Sequence, residues 1–319
     1  MRAFYFSLGF GILFVFSLTL WLIVTGRGDS ITSLRWGVAV VLSLSVSLYG
    51  VLRKSLDPPA GPVAFIVGYT LTLADSSLCA CMIAFFLSSS RLTKWRKGEK
   101  AKFEAKEDGG TARDWIQVLC NGLAACTASL CLLYISREGG GLVLGPLIIN
   151  APAILRLAGL GAISCCCGDT WASEIGSVLG LRPILITNLR PVPRGTNGGV
   201  SIPGLLASGS GGLFMGTVYY ITQALSTYEY SSESQSTPQW IVIPLGLMGG
   251  LFGSLIDSVL GATLQYTGYD ENKGVIIHCP GEKGTKHISG YNILSNNGVN
   301  LVSSCLTAIL IPFIAVLLT

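Results

Sequence analysis

Six stretches of the chain, residues 3–25, 34–52, 115–136, 201–225, 240–265 and 300–318, are apolar almost end to end. Each has the length, about 17 to 25 residues, that lets a helix cross a bilayer. Two further stretches are interrupted. Residues 62–87 carry Asp75, Ser76 and Ser77 near the middle, which predicts two short helices in a hairpin. Residues 142–167 contain Pro146, Asn150, Pro152 and Arg156, a pattern that suits a broken helix buried in protein better than one facing lipid. With the hairpin passing in and back, the pattern predicts about nine crossings. The expected fold is all-α, a polytopic integral membrane helical bundle. Two N-terminal transmembrane helices occupy 1–52, and one membrane domain occupies 53–319.

Composition agrees with this class. Of 319 residues, 50% are hydrophobic and 12% charged, with a mean hydropathy of +0.60, whereas a soluble domain carries about twice that charge fraction. Placement matters more than the net charge of +4. Arg91, Lys94, Arg96, Lys97, Lys100, Lys102, Lys106 and Arg113 crowd the segment 88–114, and smaller basic groups lie at Arg53 and Lys54 and in 181–200 and 266–297. The positive-inside rule puts these loops, and with them the N-terminus, in the cytosol. The connection 226–239 has no Lys or Arg and two glutamates, and so belongs on the opposite side. "LWLIVTGRG" lacks a small-x-small cleavage site, which favours a retained first helix. Because the basic residues flank apolar spans, a membrane face explains them and nucleic acid is not an expected partner. Six of the ten cysteines fall inside apolar runs as small hydrophobes. Cys165, Cys166 and Cys167 splay around a helix and read as packing.

Carboxylates in apolar runs are the chemical signal, since such an acid is costly near hydrocarbon and marks a functional site by default. Gly250, Gly253, Ser254, Asp257, Ser258, Gly261, Ala262 and Gln265 follow the three-and-four spacing of one helix face. Small residues there serve helix packing, but packing leaves Asp257 unexplained. In "CCCGDTWASEIGSVLG", Asp169 follows Gly168 and reads either as a helix N-cap or as a ligand for a hard cation such as magnesium. Ser173 shares its face, while Glu174 lies about 140° round a regular helix. Asp169 and Glu174 therefore share a pocket if the helix breaks or the site wraps its end. "RGTNGG", with Arg194, Thr196, Asn197, Gly198 and Gly199, has the ingredients of an anion site, without the order of a Walker A sequence. A plain turn is the other reading. Every sizeable polar loop except 226–239 gathers at one end of the expected bundle.

"FFLSSSRLTKW", "GDTWASEIG", "RGTNGGV", "GSLIDSVLGATLQYTG" and "ILSNNGVN" occur in that order. From about Arg53 to the C-terminus the chain resembles the eukaryotic transmembrane protein nineteen family, part of a wider group of membrane proteins that contains plant phytyl-phosphate kinase. The resemblance implies transfer of a phosphoryl group from a nucleoside triphosphate to an isoprenoid (polyprenyl or phytyl-type) lipid monophosphate, with Mg2+ and a membrane lipid environment. In that role Asp169, Glu174 and Asp257 are the catalytic candidates, and Asp169 and Asp257 the metal ligands. Lys94, Arg194, Thr196, Asn197, Gly198 and Gly199 bind phosphate. Asn121, Ser173, Ser258, Gln265, Asn296, Asn297 and Asn300 complete the polar site. The expected location is the endoplasmic reticulum or another endomembrane. A transporter with midplane acids and a non-catalytic scaffold are the competing readings. Charged motifs gathered at one face favour the enzyme.

Overall fold

The computed structural model describes residues 2–26, 31, 33–100, 112–135, 144–145, 148–179, 182–230, 240–271, 273–280 and 284–318. Among them, nine helices of 15 residues or more form a membrane bundle: α1 (Arg2–Val24), α2 (Ser33–Leu52), α3 (Ala60–Ala74), α4 (Ser76–Lys94), α6 (Trp115–Ile135), α7 (Ala151–Leu179), α8 (Ile202–Tyr230), α9 (Val242–Leu264) and α10 (Asn296–Leu318). A single turn, α5 (Lys97–Lys100), follows α4. Seven of the nine are long and apolar enough to span a membrane. The exceptions are α3, which is apolar but has 15 residues, and α8, whose 29 residues are rich in glycine and serine. Consecutive long helices reverse direction. The ends of α2 and α4 meet where Lys94 Nζ donates to Arg53 O (2.9 Å), and the approach to α6 joins them through Arg113 N to Ser55 O (3.0 Å). At the opposite end, Arg35 Nε of α2 donates to Thr72 O of α3 (3.0 Å).

The predicted hairpin is present, and Asp75 makes it. Its backbone is extended, and its carboxylate accepts from Ser77 N (2.8 Å) and Leu78 N (3.1 Å), which caps α4. The same carboxylate pairs with Arg156 Nε at 2.8 Å with both side chains largely buried. A buried acid needs such a partner, and Arg156 of α7 supplies it.

Within 142–167 the interruption falls ahead of α7 and not inside it, since residues 144–145 and 148–149 form a short β pair and the helix starts at Ala151. α7 runs unbroken for 29 residues, because Pro152 lies in its first turn, where a missing N–H costs nothing, and Asn150 Oδ1 accepts from Ala153 N (2.9 Å). Pro146 lies outside the described residues. α7 is the axis of the bundle, packed against α4, α6, α8, α9 and α10. Buried residues make up 72% of its membrane window, against 22% for each of α1 and α2. Those two outer helices expose Phe10, Phe16, Leu44 and Leu48, as lipid-facing surfaces do.

The contact among α7, α8 and α9 is backbone against backbone. A Cβ added at Gly168 would lie 2.6 Å from Gly250 Cα, one at Gly250 2.6 Å from Gly212 Cα, and one at Gly246 2.7 Å from Gly216 Cα. Small residues permit this approach, and in lipid close packing is what holds helices together.

The all-α expectation holds for the membrane part, with one correction outside it. Loop 266–297 folds into a three-stranded antiparallel sheet, β6–β5–β7, built from β5 (Thr267–Asp270), β6 (Val275–Ile277) and β7 (Thr285–Ser289). Two minor pairs precede it: β1 (Leu144–Gly145) with β2 (Ile148–Ile149), and β3 (Ile184–Leu185) with β4 (Gly199–Val200). Strands of three to five residues with mixed polarity give too little period to be read.

The packing yields a sharp contrast. Gly250→Ala forces backbone apart and should cost about 1–3 kcal/mol, whereas Gly209→Ala on α8, with nothing within 4 Å of its Cβ position, should be neutral or slightly stabilising. Thermal unfolding in detergent compares them. Equal midpoints would contradict the three-helix contact.

Candidate functional site

A cavity of about 770 Å³ opens at the end of the bundle that carries the loops. One wall is α7 from Asp169 to Ser177, another is α9 from Ser254 to Gly261 with Gln265 beyond it, and the loop 194–200 closes a third side. Asp169 stands within α7, ten residues before its end, so the N-cap reading of this acid is excluded. Asp257 stands seven residues before the end of α9. At 1.5 Å per residue both lie roughly 10–15 Å inside the ends of their helices. Ser254 Oγ donates to Asp169 Oδ1 (3.5 Å) across the α7–α9 contact. Ser303 Oγ of α10 donates to Asp257 Oδ2 (2.9 Å). With its amide turned so that nitrogen faces acceptors, Asn300 also donates to Asp257 Oδ2 (3.2 Å) and to Asn296 O (3.3 Å). Glu174 lines the same cavity without any break in α7, because the cavity extends along the last turns of the helix. Trp171 fixes the rotation of α7 here, stacking on Phe214 (5.6 Å between centroids) and donating from Nε1 to Ser88 Oγ (3.3 Å).

The segment "RGTNGG" is a built turn and a cavity wall at once. Thr196 N and Oγ1 donate to Pro193 O, Gly199 N donates to Thr196 O, and Asn197 N donates to Thr267 Oγ1. The Asn197 amide donates to Tyr266 O (3.2 Å) and lies 3.2 Å from His278 Nδ1. Much of the hydrogen-bonding capacity expected for phosphate is therefore spent on the loop itself. Gly198 has φ +74°, and its Cβ position lies 2.5 Å from Ser258 O and 2.7 Å from Ala262 N. The loop sits on the small-residue stripe of α9 because this position is glycine. Arg194 lines the cavity with no carboxylate partner among the described residues.

Ser173, Ser258, Gln265, Asn296 and Asn300 join Asp169, Glu174, Asp257, Arg194, Thr196, Asn197, Gly198 and Gly199 around this cavity. Three expected members do not. Lys94 is held by Arg53 O and Ser55 Oγ (3.0 Å). Asn121 lies behind Asn300, its Oδ1 3.4 Å from the Asn300 amide, and borders a separate apolar cavity. Asn297 is in the first turn of α10 but outside the lining. Conversely, Arg113, Gln117, Tyr266, His278, Cys279 and Ser295 line the cavity and were not singled out from the sequence.

Three helices begin at the cavity. Asp114 Oδ1 accepts from Gln117 N (2.7 Å) at α6, Ser201 Oγ from Gly204 N (3.2 Å) at α8, and Ser295 Oγ from Gly298 N (3.3 Å) at α10. Helix N-termini favour anions. Among the described residues no three His, Cys, Asp or Glu side chains form a complete metal cluster. Two carboxylates fit magnesium, which binds through one or two carboxylates together with phosphate oxygens and water.

Residues 41–308 match the model of a family described as integral membrane protein DUF92. The chain belongs to this family. Protein PGR of Arabidopsis thaliana is 38% identical over 283 residues, covering 85% of this chain and 93% of the relative. An uncharacterized membrane protein of Synechocystis is 30% identical over 72% of the chain and 81% of its own length. Protein VTE6, chloroplastic, of Arabidopsis thaliana is 28% identical over 57% of the chain and 53% of its own length. No solved structure matches. Family membership agrees with the likeness read from the motifs, and the matched span contains the whole cavity lining.

Arg194→Ala should weaken binding of inorganic tripolyphosphate about tenfold or more, as loss of a charge-assisted contact does, with little change in melting. Lys94→Ala, outside the cavity, should leave it unchanged. Titration calorimetry of both variants decides whether the loop is an anion site or a turn alone.

Proposed function

We propose that this chain is a lipid-phosphate kinase, which transfers the terminal phosphoryl group of a nucleoside triphosphate to an isoprenoid lipid monophosphate. One observation carries the reading: a single cavity at one membrane face gathers Asp169, Glu174 and Asp257 from membrane helices, Arg194, and the N-termini of α6, α8 and α10. Phosphoryl transfer is mainly positioning and electrostatics, and these are groups for holding polyphosphate. The family resemblance to the group containing plant phytyl-phosphate kinase supports it.

The reaction forms a bond between an oxygen of the lipid phosphate and the γ-phosphorus, and breaks the bond from γ-phosphorus to the β–γ bridging oxygen. The products are the lipid diphosphate and a nucleoside diphosphate. A phosphate monoester, with a second pKa near 6, is largely dianionic at neutral pH and needs no base to attack. The chain's task is then to orient and to neutralise. Asp169 and Asp257 would hold magnesium, which would supply positive charge to offset that of the phosphates. Ser254, Ser303 and Asn300 fix the two carboxylates. Arg194 and the three helix starts receive phosphate oxygens. The loop 194–200, seated on α9, shields the acids from one side.

Transport is disfavoured by the other half of the bundle. There, among the described residues, α8 and α9 touch at Gly216 and Val242, and the Asp75–Arg156 pair and Tyr219 are buried, so the polar groups of that half are packed together rather than open to a solute. A scaffold has no use for two acids held this way. We place the cavity face in the cytosol because Arg53, Arg96, Arg113, Arg182 and Lys273 gather there, in an endomembrane that supplies the lipid.

The test is radiolabelled transfer from ATP, CTP, GTP and UTP to a panel of isoprenyl and phytyl monophosphates, using the purified chain in detergent. Product above a heat-killed control is expected with at least one pair, and none with any pair would refute the kinase. Asp169→Asn and Asp257→Asn should each remove most turnover at unchanged expression. Residues serving one ion act as a unit, so the double variant should lose little more than either single one. Multiplicative losses would rule out a shared ion.

A further inference from the structure

A second cavity, of about 80 Å³, lies between α2, α3, α4 and α6. Its walls are apolar, with Val46, Ala64, Val67, Met82, Ile83 and Phe86 among them. One residue, Arg113, lines both this cavity and the large polar one. The polypeptide holds Arg113 there by main-chain bonds, Arg113 N to Ser55 O (3.0 Å) and Asp57 N to Arg113 O (2.9 Å). Its guanidinium donates from Nη1 to Ser90 Oγ (2.8 Å) and lies 6.0 Å and 5.8 Å from the ring centroids of Phe85 and Phe86, which also border the apolar cavity.

Among the described residues no carboxylate pairs with this guanidinium. Burial pushes the group down to about 10, so it is still a cation at neutral pH. A guanidinium has five N–H donors, and leaving such a charge half-buried without an anion is costly. The rings of Phe85 and Phe86 offset part of that cost. A phosphate reaching it from the polar side would offset more.

We infer that the apolar cavity takes the first few carbons of the phosphorylated lipid's tail, the remainder lying in the bilayer, and that Arg113, at its mouth, binds the lipid's own phosphate. This rests on the kinase reading for its choice of ligand. It divides the site in two: the α9 side, with Arg194, faces the donor polyphosphate, and the α4–α6 side, with Arg113 and Gln117, faces the acceptor. At about 80 Å³ the cavity is smaller than the roughly 150 Å³ that admits benzene, so the start of an acyclic isoprenoid tail enters where ring systems do not. Acceptor choice is then set by residues of α2, α3, α4 and α6, while Asp169 and Asp257 serve any acceptor alike.

A radiolabelled phytyl monophosphate carrying a photoactivatable diazirine in its tail tests this, with the full chain in lipid nanodiscs and no nucleotide present. Labelling should map by mass spectrometry to peptides containing Ala64 and Met82, and unlabelled phytyl monophosphate should compete while phytol and inorganic phosphate compete poorly. Ala64→Phe, which fills the slot, should cut labelling at these peptides by about tenfold, and Arg113→Gln should do the same through loss of a charge-assisted contact. Arg113→Lys should recover part of it, which a folding defect would not. Labelling confined to other helices, or unaffected by Arg113→Gln, would overturn the inference. Labelling at Ala64 and Met82 in a protein that transfers phosphate from no nucleotide would uphold the lipid site while refuting the kinase.

Discussion

Backbone contact among α7, α8 and α9 fixes the geometry on which the site depends. Without a hydrophobic drive between helices in lipid, association rests on packing, and here glycines bring main chains together at Gly168–Gly250, Gly250–Gly212 and Gly246–Gly216. Such contacts admit one rotation and one register, because any shift drives a side chain into a neighbouring backbone. Asp169 is the residue after Gly168, and Asp257 is one turn beyond Gly253, which packs on Cys165. The contact that closes the helices therefore brings both acids to one cavity. The cysteine triplet is part of the same packing, all three side chains buried.

The two ends of the bundle are built differently. At one end the polar groups are spent on structure: Asp75 caps α4 and pairs with Arg156, and Arg35 reaches Thr72 O. At the other, α7 and α9 carry their acids toward loops and the starts of α6, α8 and α10, so polar groups remain available to a ligand. Alternation of direction produces this without special sequence. In a bundle of reversing helices, all the starts on one face belong to every second helix.

The sequence made some of this readable and hid the rest for physical reasons. A charge inside an apolar run stands out, so Asp169, Asp257 and the Asp75 hairpin were visible. The function of a charge within a basic segment is not visible in the same way. Lys94 and Arg113 both belong to the positive loop 88–114, yet one bonds a neighbouring carbonyl and the other lines two cavities. Their difference lies in how the segment folds back on α2 and α4. Tyr266, His278 and Cys279 reach the cavity through short strands whose register no periodicity announces. "RGTNGG" showed its glycines, but that Thr196 and Asn197 would be occupied by Pro193, Tyr266 and Thr267 is a property of the folded loop.

Asp75 gives the standard against which the site acids are judged. This acid carries a structural load, and the chain supplies it with Arg156 and two backbone N–H groups. Asp169 and Asp257 receive hydroxyls and an amide, and among the described residues no Lys or Arg pairs with either. Hydroxyl donors orient a carboxylate without cancelling its charge, and two acids facing one cavity repel each other. In the same cavity, Arg113 and Arg194 have no carboxylate partner among the described residues. Salt bridges between these groups would satisfy both sets, yet none forms among the described residues. Asp169 and Asp257 on one side and Arg113 and Arg194 on the other line one cavity without pairing among the described residues, which suits the ligand proposed above, a polyphosphate with its divalent cation, because it carries both signs itself.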